Sequence, residues 1–374
     1  MPNRDLVVVG ASAGGVEALI RLVRELPPDL PAAVLVVLHM PPDGMSNLGP
    51  ILSRAGHLPA RQARDGDAIE AGRILVARPD HHLLVRDGRV VLSRGPHENL
   101  QRPAIDPLFR SAALNADGRT VGIVLSGALD DGATGLQTIA QAGGLTIVQD
   151  PSDALVPSMP TSAMELVDVD EVLSADEIGR HLPDFLRGPK GDNRMDDRAR
   201  QALKREVEVA HAATTVERTP NGQPSVYGCP DCGGVLWEVD EEGFRFRCRV
   251  GHAYTARSLL AAENAGLEDA LWAALRALEE QESLSRRMLE RGWGSATARG
   301  RHEERVEELA ERANTLRQFL LSPVFGDVGE ATAATAPGPE DLAEAQPRDR
   351  TARARRRGRR DGEHAEPPAE QRAG

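Results

Sequence analysis

Cysteine is nearly absent from this chain of 374 residues: there are three, all between Cys229 and Cys248. An odd number so confined cannot close a set of disulfides, which disfavours a stapled secreted domain and makes a cytoplasmic chain the expectation. Aromatic residues are scarce too, at 3%, so any core must be mainly aliphatic. No apolar run approaches the roughly 20 residues that span a bilayer, and the first one, around Val7 to Val9, stops at Gly10, so neither an anchor nor a signal peptide is expected. Basic residues are outnumbered 45 to 57, a net charge of -12, which speaks against a general nucleic-acid binder. What the chain does have is 36 glycines, 26 prolines and 40% hydrophobic residues, a composition in which aliphatic segments alternate with loops and with disorder. At about 100 to 200 residues per domain, the length implies two or three domains.

The apolar segments organise the first half of the chain as α/β. Residues 5–10 read as a buried strand ending at glycine, and residues 16–26 follow with helical spacing. A second wholly apolar run, 32–38, ends at His39 and Met40 before Pro41-Pro42-Asp43-Gly44 forces a loop; an apolar run of this kind suits a parallel strand buried on both faces. Residues 73–78, and the alternating runs 83–85 and 89–92 around the turn signal Asp87-Gly88, read as an insertion beside the parallel sheet. The alternation resumes with a helix at 107–115, a strand at 120–125, a helix at 135–141 and a strand at 145–148. It closes with a helix at 161–166, a short strand at 171–173 and a helix at 175–186. The fold class expected is a doubly wound, mostly parallel sheet with a small hairpin insertion, over residues 1–187. Residues 188–225 are polar apart from helical spacing at 198–210 and read as a linker. A cysteine-bearing module at 226–255, a helical hairpin at 256–320 broken near 292–294, and a disordered tail at 321–374 containing the run Arg353 to Arg360 complete the chain.

Three side chains stand where such a sheet collects chemistry. Gly10-Ala11-Ser12-Ala13-Gly14 fits a G-x-S-x-G elbow between strand and helix, where a tight turn exposes the serine oxygen and a helix start supplies backbone N–H groups. The competing reading is a glycine turn for a phosphate, with Ser12 capping the helix. His39 follows the second strand and so shares the carboxyl-terminal edge with Ser12, within reach as a base, although a histidine there is also often structural. After the strand 120–125 come Asp130 and Asp131, either of which supplies a carboxylate at the same edge. The residues alone do not choose between them, and an N-cap role fits both.

Gly10-Ala11-Ser12-Ala13-Gly14-Gly15, His39-Met40-Pro41-Pro42, Arg102-Pro103-Ala104-Ile105-Asp106 and Asp131-Gly132-Ala133-Thr134-Gly135 together resemble the catalytic domain of the chemotaxis protein-glutamate methylesterases (CheB-type), over roughly residues 5–187. The resemblance implies a catalytic Ser12, His39 and Asp131, and so selects Asp131 over Asp130. It also implies hydrolysis of glutamate methyl esters on chemoreceptor helices, with deamidation of glutamines in some members, and no cofactor for catalysis. Methylated chemoreceptor helices are the implied partners, with a receptor methyltransferase or a separate receiver protein as further candidates; membrane insertion is not expected. Arg102 is a candidate for steering an acidic receptor surface or for fixing the site loop. Two positions depart from the best-known members: Ala13 stands where threonine follows the nucleophile, and Ala128 where a methionine lines the oxyanion site. The first strand also begins within about five residues of Met1, so phosphorylation of an attached receiver is not expected.

The cysteines are spaced Cys229-x2-Cys232, then, after a hairpin-length spacer, Cys248-x3-His252. Soft thiolates with one imidazole suit a tetrahedral structural zinc, and the pattern resembles zinc-binding modules appended to some receiverless esterases. A metal-free hairpin with free thiols is the alternative. For the whole chain, the competing functions are a non-catalytic signalling scaffold that keeps the esterase-like domain for binding, and a nucleotide-binding protein. The latter lacks both the Lys-Ser/Thr of a P-loop and the Gly-x-Gly-x-x-Gly spacing.

Overall fold

The computed structural model describes residues 3–44, 46–116, 118–211, 222–240, 244–293 and 295–322. The elements run β1 (Leu6–Ala11), α1 (Gly15–Arg24), β2 (Ala33–Leu38), α2 (Leu48–Ala55), β3 (Ala60–Gln62), β4 (Ile74–Val76), β5 (His82–Arg86), β6 (Arg89–Ser93), α3 (Ile105–Ala116), β7 (Thr120–Val124), α4 (Ala133–Gln141), β8 (Leu145–Gln149), α5 (Ser158–Leu166), β9 (Glu171–Leu173) and α6 (Ala175–Arg187). Seven of these strands form one parallel sheet in the order β3-β4-β2-β1-β7-β8-β9. The central strands β1 and β2 are apolar on both of the faces to which successive side chains point, which explains why the sheet is covered on both sides. Val7, Val9, Val34 and Val36 pack on one face against Leu19 and Leu22 of α1, Leu52 of α2, and Ile178 and Leu182 of α6. Val8, Leu35 and Val37 pack on the other against Ile105 and Phe109 of α3, Leu136 of α4 and Met159 of α5.

The expected α/β class is therefore the observed one, with one correction to the insertion. Only β5 and β6 form the separate antiparallel hairpin, turning at Asp87 and Gly88, which both have positive φ. Ile74–Val76, grouped by sequence with the hairpin, instead pairs with β2 inside the parallel sheet, because all three of its side chains are buried. The sheet reverses its winding around β1, with β2 on one side and β7 on the other, and this switch point opens a crevice at the carboxyl ends of the strands.

In the stretch read as a linker lies α7 (Asp197–His211), whose Leu203, Val207 and Ala210 are buried. It is held by packing against α3 and β6 rather than by its own propensity. Next come β10 (Gln223–Gly228), β11 (Val235–Glu238), β12 (Arg245–Cys248) and β13 (Ala253–Thr255), an antiparallel sheet in that order. Its small core holds Cys229, Leu236, Phe246, Cys248, Tyr254 and Leu259. Thr255 caps α8 (Ala256–Glu290), its hydroxyl accepting from Ser258 N, and α8 packs against α9 (Ala296–Leu320) through Leu275, Ala313 and Leu320. Of the expected tail, residues 323–374, including the arginine run, lie outside the described residues.

Candidate active site

Three strand ends bring the sequence-nominated residues into one crevice. Ser12 leaves β1 in a turn that Gly14 closes at φ 72°, a left-handed conformation. A Cβ on Gly14 would also lie 2.6 Å from Leu155 Cβ, so only glycine fits there. The turn is pinned from beside: Ser12 N donates to Ser126 O (2.9 Å), Gly15 N to Ser12 O (2.9 Å), and Ser126 Oγ to Ala13 O (2.7 Å). His39 follows β2 directly. Its Nδ1 lies 3.2 Å from Ser12 Oγ and its Nε2 lies 2.7 Å from Asp131 Oδ2.

Asp131 is buried and receives four donors. Oδ2 accepts from Ile105 N (2.7 Å) as well as from His39, and Oδ1 accepts from Asp106 N (3.2 Å) and Asn99 Nδ2 (3.0 Å). Two of these are free N–H groups at the start of α3, which stabilise negative charge. Burial alone would raise the Asp131 pKa, but the hydrogen bond and charge of His39, with Ile105 and Asn99, hold it below the usual carboxylate value. An ionised Asp131 only accepts, so Nε2 of His39 carries the proton and Nδ1 presents its lone pair to the Ser12 hydroxyl.

The choice between the two aspartates, open at the level of the residues, is made by the backbone. Asp130 turns the other way and accepts from Thr255 Oγ1 (2.9 Å), beside a cavity of about 550 Å³ that Thr134, Glu165 and Arg257 also line. Burial pushes its pKa up to about 7. Such a carboxyl holds its proton more tightly folded than unfolded, so its contribution to stability is complete below about pH 4 and is lost as pH rises through about 7. Asp130→Asn keeps an acceptor for Thr255 and never ionises. Calorimetry should find its Tm equal to wild type near pH 4 and a few degrees higher at pH 8; a lower Tm at pH 8 would contradict the assignment.

Arg102 is engaged by the loops beside β5 and β6. Its Nε donates to Asp80 Oδ1 (2.7 Å) and its Nη1 to Gly95 O (2.9 Å), so it fixes the loop before α3. Two residues that sequence reasoning did not single out complete the surroundings. Asp106 accepts from Gly132 N (3.1 Å), Gly135 N (2.7 Å) and Thr134 Oγ1 (2.5 Å), and its pKa is raised to about 6 by burial and by the charge of Asp131. Asn99 donates to both Asp106 and Asp131. Asp106 stood in one of the recognised motifs; nothing local marks Asn99.

The second cluster is Cys229, Cys232, Cys248 and His252, whose ligand atoms all lie within 4.8 Å of one another. Cys232 Sγ is 3.8 Å from Cys248 Sγ, and His252 Nδ1 is 3.6 Å from the sulfurs of both Cys229 and Cys248. A tetrahedral ion with bonds of about 2.3 Å to sulfur and 2.0 Å to nitrogen needs edges of about 3.8 and 3.5 Å, so the four residues fit a metal ion. Burial pushes the Cys229 thiol up to about 12, so the thiolate a metal requires has to be stabilised by the metal itself.

The family described as CheB methylesterase matches residues 7–182, the span from β1 into α6. A putative protein-glutamate methylesterase/protein-glutamine glutaminase of Leptospira interrogans is 36% identical over 177 residues, which are 47% of this chain and 92% of that protein. The chain belongs to the CheB methylesterase family. Another CheB relative, protein-glutamate methylesterase/protein-glutamine glutaminase 2 of Anaeromyxobacter dehalogenans, is 42% identical over 183 residues, 49% of this chain and 54% of the relative. The crystal structure of the Thermotoga maritima CheB methylesterase catalytic domain is 32% identical, covers 48% of this chain and 98% of that one, and has a TM-score of 0.47. The chain spans about half the length of the first curated CheB relatives it matches. α7, the cysteine module, α8 and α9 all lie outside the residues that the CheB family matches. No helix among the described residues is long and apolar enough to cross a membrane.

Proposed function

We propose that this protein is a serine hydrolase acting on glutamyl methyl esters of chemoreceptor helices, with Ser12 as nucleophile, His39 as base and Asp131 as its partner. The observation that carries the reading is the continuous line from Ser12 Oγ through both ring nitrogens of His39 to Asp131, at 3.2 and 2.7 Å. His39 Nδ1 takes the Ser12 proton as Oγ attacks the ester carbonyl, and the imidazolium so formed is stabilised by Asp131. The oxyanion goes to turn amides. Those of Ser12 and Gly15 are occupied, so we assign Ala13 N–H and Gly14 N–H to it; backbone donors make this independent of the side chain lost at Ala13. His39 returns its proton to the departing methanol, then activates the water that releases glutamate from the acyl-enzyme.

The double names of the relatives, methylesterase and glutaminase, extend the proposal to receptor glutamine, where ammonia leaves in place of methanol. The same His39 proton serves either leaving group. No observation favours the scaffold reading. Cys229, Cys232, Cys248 and His252 would hold a zinc ion; three thiolates and an imidazole leave no open position, so bound zinc would cross-link the module and take no part in the reaction. The test of the hydrolase is methanol release from a methylated receptor, wild type against Ser12→Ala. Equal rates would overturn it.

A further inference from the structure

The cysteine module is not tethered loosely beside the crevice; backbone pairing, buried ion pairs and side-chain hydrogen bonds join the two, and Asn99 is the side chain that reaches from the module to Asp131. Residues 97–99 bridge to the edge of β13 at Ala253, with Ala253 N donating to His97 O (3.2 Å) and Asn99 N to Ala253 O (2.8 Å). Behind this pairing Arg110 of α3 and Arg247 of β12 flank the buried Glu98 (2.5 and 3.6 Å), while Glu206 of α7 meets Arg245 (2.7 Å). Charges buried in this way are costly to separate, since each would be left without its partner. The docked position is therefore specified by charge as well as by backbone pairing.

Asn99 uses all of its side-chain hydrogen-bonding capacity across this junction. Its Oδ1 accepts from Thr255 N (3.1 Å) and Ser258 Oγ (3.1 Å), at the join of β13 and α8. Its Nδ2 donates to Asp106 (3.1 Å) and Asp131 (3.0 Å). Thr255 N can only donate, so the amide has a single orientation, with its donors aimed at the two carboxylates. β13 begins directly after His252, so the last ligand of the metal cluster is three residues from the peptide that holds Asn99 Oδ1.

We propose that Asn99 is a positioning residue that couples the metal-bound state of the cysteine module to the His39–Asp131 pair. Zinc in the cluster holds β13 in place, β13 and Ser258 hold the Asn99 amide, and the amide holds Asp131 in the orientation that keeps the proton on His39 Nε2. The module thereby conditions hydrolysis without contacting the receptor ester. This regulation rests on the hydrolase reading of the crevice, but its primary readout does not.

The test uses the full chain with 15N-labelled histidine, either loaded with zinc or stripped by a chelator, in wild type, Asn99→Asp and Ser258→Ala. Asn99→Asp keeps an acceptor for Thr255 and tolerates the positive φ at this position, yet sets a third carboxyl against Asp106 and Asp131 and offers at most one donor where the amide offers two. It should retain zinc, shift the low-field ring-proton resonance of His39, and lower kcat for methanol release about 10- to 100-fold with KM unchanged. Ser258→Ala should move both in the same direction by less. Stripping zinc should shift the His39 resonance in wild type and add nothing in Asn99→Asp. The proposal is overturned if stripping leaves the wild-type resonance in place or shifts both proteins equally, or, should Asn99→Asp not fold, if Ser258→Ala leaves resonance and kcat unchanged. Failure of the hydrolase reading would be seen separately, as undiminished methanol release by Ser12→Ala.

Discussion

Methanol release by Ser12→Ala is expected to fall about 10⁴- to 10⁶-fold below wild type, the range seen when the nucleophile of a coupled triad is removed. Without Oγ there is no acyl-enzyme, and what survives is substrate held by the turn amides with water as the attacking group. The fold should be untouched, because among the described residues the Ser12 side chain bonds to His39 alone and the turn is held by backbone groups and Ser126. Chemical denaturation should therefore place Ser12→Ala within about 0.5 kcal/mol of wild type. Asp131→Asn offers a graded companion, losing about 10⁴-fold. An amide nitrogen in either oxygen position would face a backbone donor, Ile105 N at 2.7 Å or Asp106 N at 3.2 Å. Turned toward His39, it would force the ring proton onto Nδ1 and leave Ser12 without a base. This variant should lose stability as well, by about 1 to 3 kcal/mol for an unsatisfied buried group. Ser12→Ala that is as unstable as Asp131→Asn, or Asp131→Asn with near-normal turnover, would each contradict this division of roles.

Cys248→Ser is expected to empty the metal cluster: about one zinc per chain in the wild type and close to none in the variant, by atomic emission on the purified protein. A neutral serine hydroxyl is a poor substitute for a thiolate, and Cys248 is a buried member of the module's small core. That core is too slight to hold four short strands by apolar burial alone, and structural zinc typically supplies about 10 to 16 kcal/mol of apparent binding free energy. Hydrogen exchange should accordingly accelerate across β10 to β13 and at the backbone of Asn99, whose N–H is bonded to Ala253 O. The central strands β1, β2 and β7 should keep their protection, since both of their faces are covered by other elements. Full zinc occupancy in the variant, or exchange confined to the parallel sheet, would refute the assignment.

Much of this molecule was legible because its signals are local. The runs that became β1 and β2 are apolar at every position, which suits strands covered on both faces, and Asp87-Gly88 is a turn whose backbone demands are met by those two residue types. β4 was not legible as part of the parallel sheet, since three apolar residues carry no period that separates a sheet strand from a hairpin strand. α7 was legible as helical spacing at 198–210, but its docking was not, because its apolar stripe is narrow and is stabilised by the surface it packs on.

The sequence by itself determined the alternation of strands and helices, the placing of Ser12 and His39 at strand ends, and a cysteine–histidine spacing suited to one tetrahedral ion. These follow from periodicity and from distances along the chain. Residue types left Asp130 and Asp131 open and the family resemblance selected Asp131; only the tertiary structure gave the physical reason, with Asp131 facing His39 and Asp130 facing Thr255, because adjacent residues in a turn diverge according to backbone angles that composition does not encode. It alone decided that Asn99 joins the cysteine module to the crevice, since its partners Asp131 and Thr255 lie 32 and 156 residues away and meet only where two separately built layers pack together.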